Sequence, residues 1–192
     1  YLGEYKLNID LINSIEAILY GAGRPITLSE IRNILSNNNE SNFELSAIKK
    51  ALNFLEQRYA DTSIEIHEVA SGYRLQIKQD HSQSLATLWN DKAPRMSKAL
   101  METISIIAYK QPVTRGDIED IRGVSVSTRS IRSLLERNWI KVSGYRDVPG
   151  RPALYITTKD FLDDLNLKVI SDLPELPEIN DTSEDDLLSK VV

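Results

Sequence analysis

Arg24-Pro25-Ile26-Thr27-Leu28-Ser29-Glu30-Ile31 returns later in the chain as Gln111-Pro112-Val113-Thr114-Arg115-Gly116-Asp117-Ile118. Each copy follows an apolar helical run, Ile18-Leu19-Tyr20 in one case and Ile107-Ala108-Tyr109 in the other. Each precedes a helix with a similar ending, Phe54-Leu55-Glu56-Gln57-Arg58 or Leu134-Leu135-Glu136-Arg137. A phrase repeated in the same context marks one small helical module built twice. Within the phrase, Thr27 and Glu30 read as a capping box, and Thr114 and Asp117 mimic it. Hydroxyl and carboxylate each satisfy a free amide of the helix that begins there.

Outward from the first copy, Ile9, Ile12, Ile15, Ile18 and Leu19 are spaced for one helix face, ended by Gly21 and Gly23. Ile31, Ile34 and Leu35 supply the buried side of a second helix, and 36–42, rich in Asn and Ser, reads as a loop. Leu45, Ile48, Leu52 and Leu55 point inward from a third. The period then changes to two: Ile64 and Ile66 alternate with Glu65 and His67, Ser71-Gly72 turns the chain, and Tyr73, Leu75 and Ile77 run back as a hairpin. A short helix near 83–88 and the breaker Lys92-Ala93-Pro94 close the module.

The second copy has the same surroundings. A helix is expected over 96–109 and another over 117–122, stopped by Gly123. Ser127 caps a third, with Ile131, Leu134 and Leu135 inward. Strands at 139–142 and 153–156 flank a long Gly- and Pro-shaped turn, the wing Gly144–Pro152. Phe161, Leu162 and Leu165 begin a last short helix. After Ser171 the acids and prolines predict an extended tail. The expected class is mainly α with small β-hairpins (α+β), as two tandem winged-helix domains. The boundaries are 1–92, 93–170 and an acidic tail 171–192.

Bulk properties narrow the function. Hydrophobic content of 41% and charged content of 27% suit a globular chain. No apolar run approaches the roughly 20 residues of a membrane span. Cys is absent, which removes disulfides and thiolate metal sites. The net charge of −5 is unevenly spread. Residues 1–92 carry 9 basic and 12 acidic side chains, 93–160 carry 12 and 7, and 161–192 carry 2 and 9. The middle block favours an anion and the tail repels one.

No catalytic, cofactor-binding or metal-ligating residues are expected. His67 and His81 are the only histidines, and neither sits in a ligand cluster or triad. His67 is expected to face solvent from its strand. Asp163-Asp164 and Asp185-Asp186 read as solubilising charge. A winged-helix order ordinarily suggests DNA, with Arg129, Arg132 and Arg137 on the third helix and Arg146 and Arg151 on the wing. Against that, the first module has no basic stripe, and local ion pairs, for example with Glu136 and Asp147, account for part of the charge. Aromatic residues mixed with arginine also compose protein-binding hot spots. Arg129, Arg132, Tyr145, Arg146 and Arg151 are therefore the candidate partner-binding residues. Trp139 is assigned to core packing. In the first module Leu2, Tyr5, Leu7, Leu11 and Tyr20 add apolar surface beyond the main helix stripe and are the candidate dimerisation residues.

The text Gln111-Pro112-Val113-Thr114-Arg115, then Ile121-Arg122-Gly123-Val124-Ser125-Val126-Ser127, then Val148-Pro149-Gly150-Arg151-Pro152 closely resembles the segregation and condensation protein B family of bacteria. Tyr155, Thr157-Thr158-Lys159, Phe161-Leu162 and Asp172-Leu173-Pro174 follow in register. Ile15-Glu16-Ala17-Ile18-Leu19 and Gly72-Tyr73-Arg74-Leu75 extend the match to the first module. The resemblance implies an accessory subunit of the prokaryotic condensin complex, cytoplasmic and nucleoid-associated. It implies a homodimer paired largely through the first domain. It also implies a hold on the kleisin, segregation and condensation protein A, which bridges the heads of the structural-maintenance-of-chromosomes ATPase. Contact with DNA is then mainly indirect. The rival from another class is a winged-helix transcription regulator.

Overall fold

A computed structural model describes residues 2–38, 43–85 and 96–176. The first module runs α1 (Leu2–Ala22), α2 (Leu28–Asn38), α3 (Leu45–Arg58), β1 (Ile64–Val69), β2 (Gly72–Ile77) and a short α4 (Ser82–Leu85). The second runs α5 (Lys98–Lys110), α6 (Arg115–Arg122), α7 (Thr128–Glu136), β3 (Ile140–Tyr145), β4 (Ala153–Thr157) and α8 (Lys159–Asp164). Each contains three helices followed by an antiparallel two-stranded hairpin. The α+β class and the order helix, helix, helix, hairpin are thus present twice.

The repeated phrase has a structural job in both places. Residues Ile26 and Val113 leave the first helix of their modules and form single antiparallel bridges to Tyr73 and Tyr155 on the second hairpin strand. The Ile26 N–H donates to the Tyr73 carbonyl at 2.9 Å and the Tyr73 N–H returns to Ile26 at 2.8 Å. The matching bonds of Val113 and Tyr155 are 3.2 and 2.7 Å. One residue later the chain enters a helix through the capping box. Thr27 and Glu30 exchange bonds of 3.0 and 3.2 Å, and Thr114 and Asp117 bonds of 2.8 and 3.2 Å. The phrase therefore pins the hairpin to the helices and starts the second helix in one stroke.

Each module has its own core. Ile15, Ile31, Ile48, Leu52 and Leu55 are fully buried in the first, and Ile104, Ile107, Ile118, Leu134 and Ile140 in the second. Several expectations need correction. Ile9 and Ile34 are exposed, as is Leu135, the last at 39%. Leu135 follows buried Leu134 in a helix, and a turn of about 100° per residue carries it off the core stripe. Helix α2 continues to Asn38, so the expected loop is shorter at its start, and residues 39–42 lie outside those described.

The expected helix at 83–88 is seen as Ser82–Leu85, with the rest, like the Lys92-Ala93-Pro94 breaker, outside the described residues. Packing of the second module extends past Ser171. Ile170 and Leu173 rest on its core, and the Tyr109 hydroxyl donates to the Pro174 carbonyl at 2.6 Å. The remainder of the expected tail, 177–192, is not among the described residues.

Candidate partner-binding surface

On the second module, the capping box of α6 also anchors the wing. Thr114 caps the helix and the Asp117 carboxylate accepts the Thr114 N–H. The same carboxylate receives both terminal nitrogens of Arg146, at 2.8 and 2.7 Å. This fork-to-fork pair fixes orientation as well as charge. The Arg146 guanidinium, helped by the Thr114 amide, lowers the Asp117 carboxyl to about 2. In return Asp117 raises Arg146. The partner of Arg146 is thus Asp117 on α6, and the expected local pair with Asp147 is not formed. Beyond Arg146 the wing closes on itself. The Arg146 N–H donates to Pro152 at 3.0 Å and the Arg151 N–H to Val148 at 2.9 Å. Arg151 takes a positive φ of 39° and its side chain is exposed.

The α7 helix is positioned from below. Glu119 accepts the Val126 N–H at 2.8 Å and the Arg115 side chain at 3.0 Å; both lower its pKa, the Val126 amide more. The Ser127 hydroxyl then accepts the Ser130 amide at 3.0 Å and opens α7. On its outer face Arg129 and Arg132, with Thr128, Ser133 and Glu136, line an open polar hollow of about 550 Å³. Neither arginine has an ion pair among the described residues.

The candidate set therefore divides. Arg129 and Arg132 share one face of α7 and are free to meet a partner. Tyr145 stands 62% exposed at the base of the wing. Arg146 is tied inward and holds the wing. Trp139 is core: its ring meets Phe161 edge-on at 5.6 Å, its indole N–H donates to Asp164 at 2.7 Å, and Arg137 lies over it.

On the first module Leu11 is buried in the module's own core, so it offers no spare surface; its i+4 and i+8 partners, Ile15 and Leu19, lie on the same inward stripe. Tyr20 is 81% exposed. It borders an apolar hollow of about 390 Å³ with Leu19, Pro25, Ile64, Leu75 and Ile77. Leu2, Tyr5 and Leu7 lie on α1, with side chains outside those described.

Sequence reasoning missed two features. One is the exposed trio Met101, Ile121 and Val124. Met101 and Ile121 border a second hollow, between α5 and α6. An α6 of only eight residues ended by Gly123 has room for one fully inward residue, Ile118, which was the available signal. The other is Asp163. Expected as solubilising charge, it is instead 8% exposed and accepts the Ser71 N–H at 3.0 Å. His67 likewise does not face free solvent, because Nε2 lies 3.0 Å from the Asn166 carbonyl.

Among the described residues no helix is long and apolar enough to cross a membrane. The family model of the segregation and condensation complex subunit ScpB matches residues 13–176. The chain is 45% identical over 167 residues to a segregation and condensation protein B homolog of Coxiella burnetii, covering 87% of this chain and 79% of that protein. It is 38% identical to segregation and condensation protein B of Clostridium tetani, with 97% of each chain covered. Among solved structures, a dimer of an ScpB N-terminal domain complexed with a ScpA peptide aligns at 25% identity and a TM-score of 0.35, covering 45% of this chain and 91% of that one. The repeated modules and the motif text from Ile15 to Pro174 thus have a common explanation: the chain belongs to the segregation and condensation complex subunit ScpB family.

Proposed function

We propose that this chain is a non-enzymatic scaffold, an accessory subunit of the bacterial condensin complex in the cytoplasm, on the nucleoid. It pairs with itself and holds the kleisin subunit, segregation and condensation protein A. Through the kleisin it reaches the structural-maintenance-of-chromosomes ATPase, and DNA contact is mainly indirect. Family membership across residues 13–176 carries this reading. The local chemistry agrees with it. Glu30, Asp117 and Glu119 have lowered pKa values, and all three carboxylates bind backbone amides at helix entries. They are structural groups rather than poised acids or bases.

Part of the kleisin surface is assigned to α7 and the wing base, where Arg129, Arg132 and Tyr145 are exposed. Their charge suits an acidic partner segment and speeds its association. The clean test spares Arg146, which braces the wing. Calorimetric titration of the kleisin's central segment into Tyr145→Ala/Arg132→Glu should show affinity reduced by about tenfold or more, with an unchanged melting curve. Unchanged affinity in the folded variant places the kleisin on the first module or across the dimer. Pairing is assigned to the first module through Tyr20 and the α1 residues Leu2, Tyr5 and Leu7. Light scattering of residues 1–92 should return a dimer; a monomer where the full chain is dimeric moves the interface to the second module.

A further inference from the structure

The end of α8 lies against the hairpin of the first module. Helix C-termini leave carbonyls without intrahelical partners. Here the chain turns after Asp164, with Asn166 at φ 58°, and presents three carbonyls to the hairpin of the first module. Arg74 Nη2 donates to Asp163 O at 3.0 Å, His67 Nε2 to Asn166 O at 3.0 Å, and the Ala70 N–H to Leu167 O at 3.0 Å. A carbonyl only accepts, so His67 carries its proton on Nε2. The Asp163 carboxylate takes the Ser71 N–H at the hairpin tip, and the Arg74 guanidinium also meets the Asn166 side chain. Lys168 pairs with Glu68 at 2.7 Å. Four residues of this turn, Asp163, Asn166, Leu167 and Lys168, thus hold the β1–β2 hairpin. The Arg74 guanidinium also sits where the negative end of the helix dipole favours a cation.

All of these contacts are polar, and each replaces a bond to water. A joint of this composition is specific in geometry but shallow in energy, as expected of modules that part. We propose that it is a releasable clasp. In the closed form the second module occupies the hairpin of the first, which is the wing that such a domain would otherwise offer to a partner. The two modules then move as one body, and the wing becomes available only when the Asp163–Lys168 turn lets go. The Ser71 and Ala70 amides with Arg74 are then left as open donors, a cradle suited to the carbonyls or carboxylate of an incoming peptide.

The chain has no cysteine, so two labels can be placed without removing any. Spin labels at Asn53→Cys on α3 and Ser105→Cys on α5, both exposed, report the distance between modules. The labelled chain is diluted into unlabelled chain so that only pairs within one chain are read. The parent should give one narrow distance. Arg74→Ala should lose that peak and spread the distribution. Glu68→Lys should also lose it, and Glu68→Lys/Lys168→Glu should restore it. This exposed pair is independent of the cores, so the charge swap decides the matter if Arg74→Ala does not fold. A broad distribution in the parent, a narrow one in Arg74→Ala or in Glu68→Lys, or no recovery in the swapped pair overturns the clasp.

Discussion

Arg146 and Asp117 show how one pair serves two elements. Asp117 closes the α6 cap and Arg146 brings the wing to it, so neutralising the carboxylate weakens both. Arg146→Ala should destabilise the chain only slightly, since the pair is partly exposed and solvent screens it. The sign of the pH dependence follows from the depressed value. Asp117 ordinarily titrates near 3.8 and is held at about 2. Its contribution is fully present above pH 4 and is lost as pH falls toward 2. Glu30, held at about 2 chiefly by the Thr27 amide and then by Arg24, acts in the same window.

Urea unfolding at pH 6 and pH 3 should show Asp117→Asn losing less stability on acidification than the parent. An equal loss would remove Asp117 from the acid response. A second residue is constrained by space. Gly72 has φ 132°, and a Cβ built there would stand 2.2 Å from the Ile26 carbonyl oxygen. Gly72→Ala must therefore break the Ile26–Tyr73 bridge, at about 3 kcal/mol. A thermal melt within a degree of the parent would contradict that geometry.

At the scale of elements, the sequence was most legible where chemistry is local. Both capping boxes, the Gly123 stop, with φ 68°, and the Ser127 cap depend on residues within four positions of each other, and all are found as read. Hairpin positions were legible too, because a change of period from 3.6 to 2 needs no tertiary knowledge. The errors fall where packing decides. Leu134 and Leu135 carry identical side chains, and only the helix's orientation on the core separates them. Leu134→Ala should cost about 2–5 kcal/mol and Leu135→Ser less than about 0.5 kcal/mol. Comparable losses in denaturant midpoint would mean α7 is rotated from the position described.

The partner surface was legible as a composition, aromatic plus arginine, but not as roles. Nothing in the order of residues says that Arg146 turns back onto α6 while Arg132 stays free. The joint at Asp163–Lys168 was illegible for the same reason: its partners lie 89 to 100 positions away, beyond any periodicity.

For the whole molecule, electrostatics decides how DNA is met. The 93–160 block carries twelve cations against seven acids, which invites a DNA-binding reading. The structure removes part of that charge from play. Arg115 pairs with Glu119, Arg122 with Glu102 and Arg146 with Asp117. What remains on the face a winged helix uses is chiefly Arg129, Arg132 and Arg151, on a chain whose net charge is −5. Counterion release scales with the phosphates neutralised, so three such contacts predict a slope of about −3 in log K against log salt. Affinity should then be weak at physiological ionic strength and indifferent to sequence, since three cations on phosphate carry no base code. Fluorescence titration of duplexes of differing sequence at two or more salt concentrations measures both quantities. A steeper slope with a preference for one sequence would demand a wider basic footprint than α7 and the wing present. It would favour the transcription regulator over the scaffold.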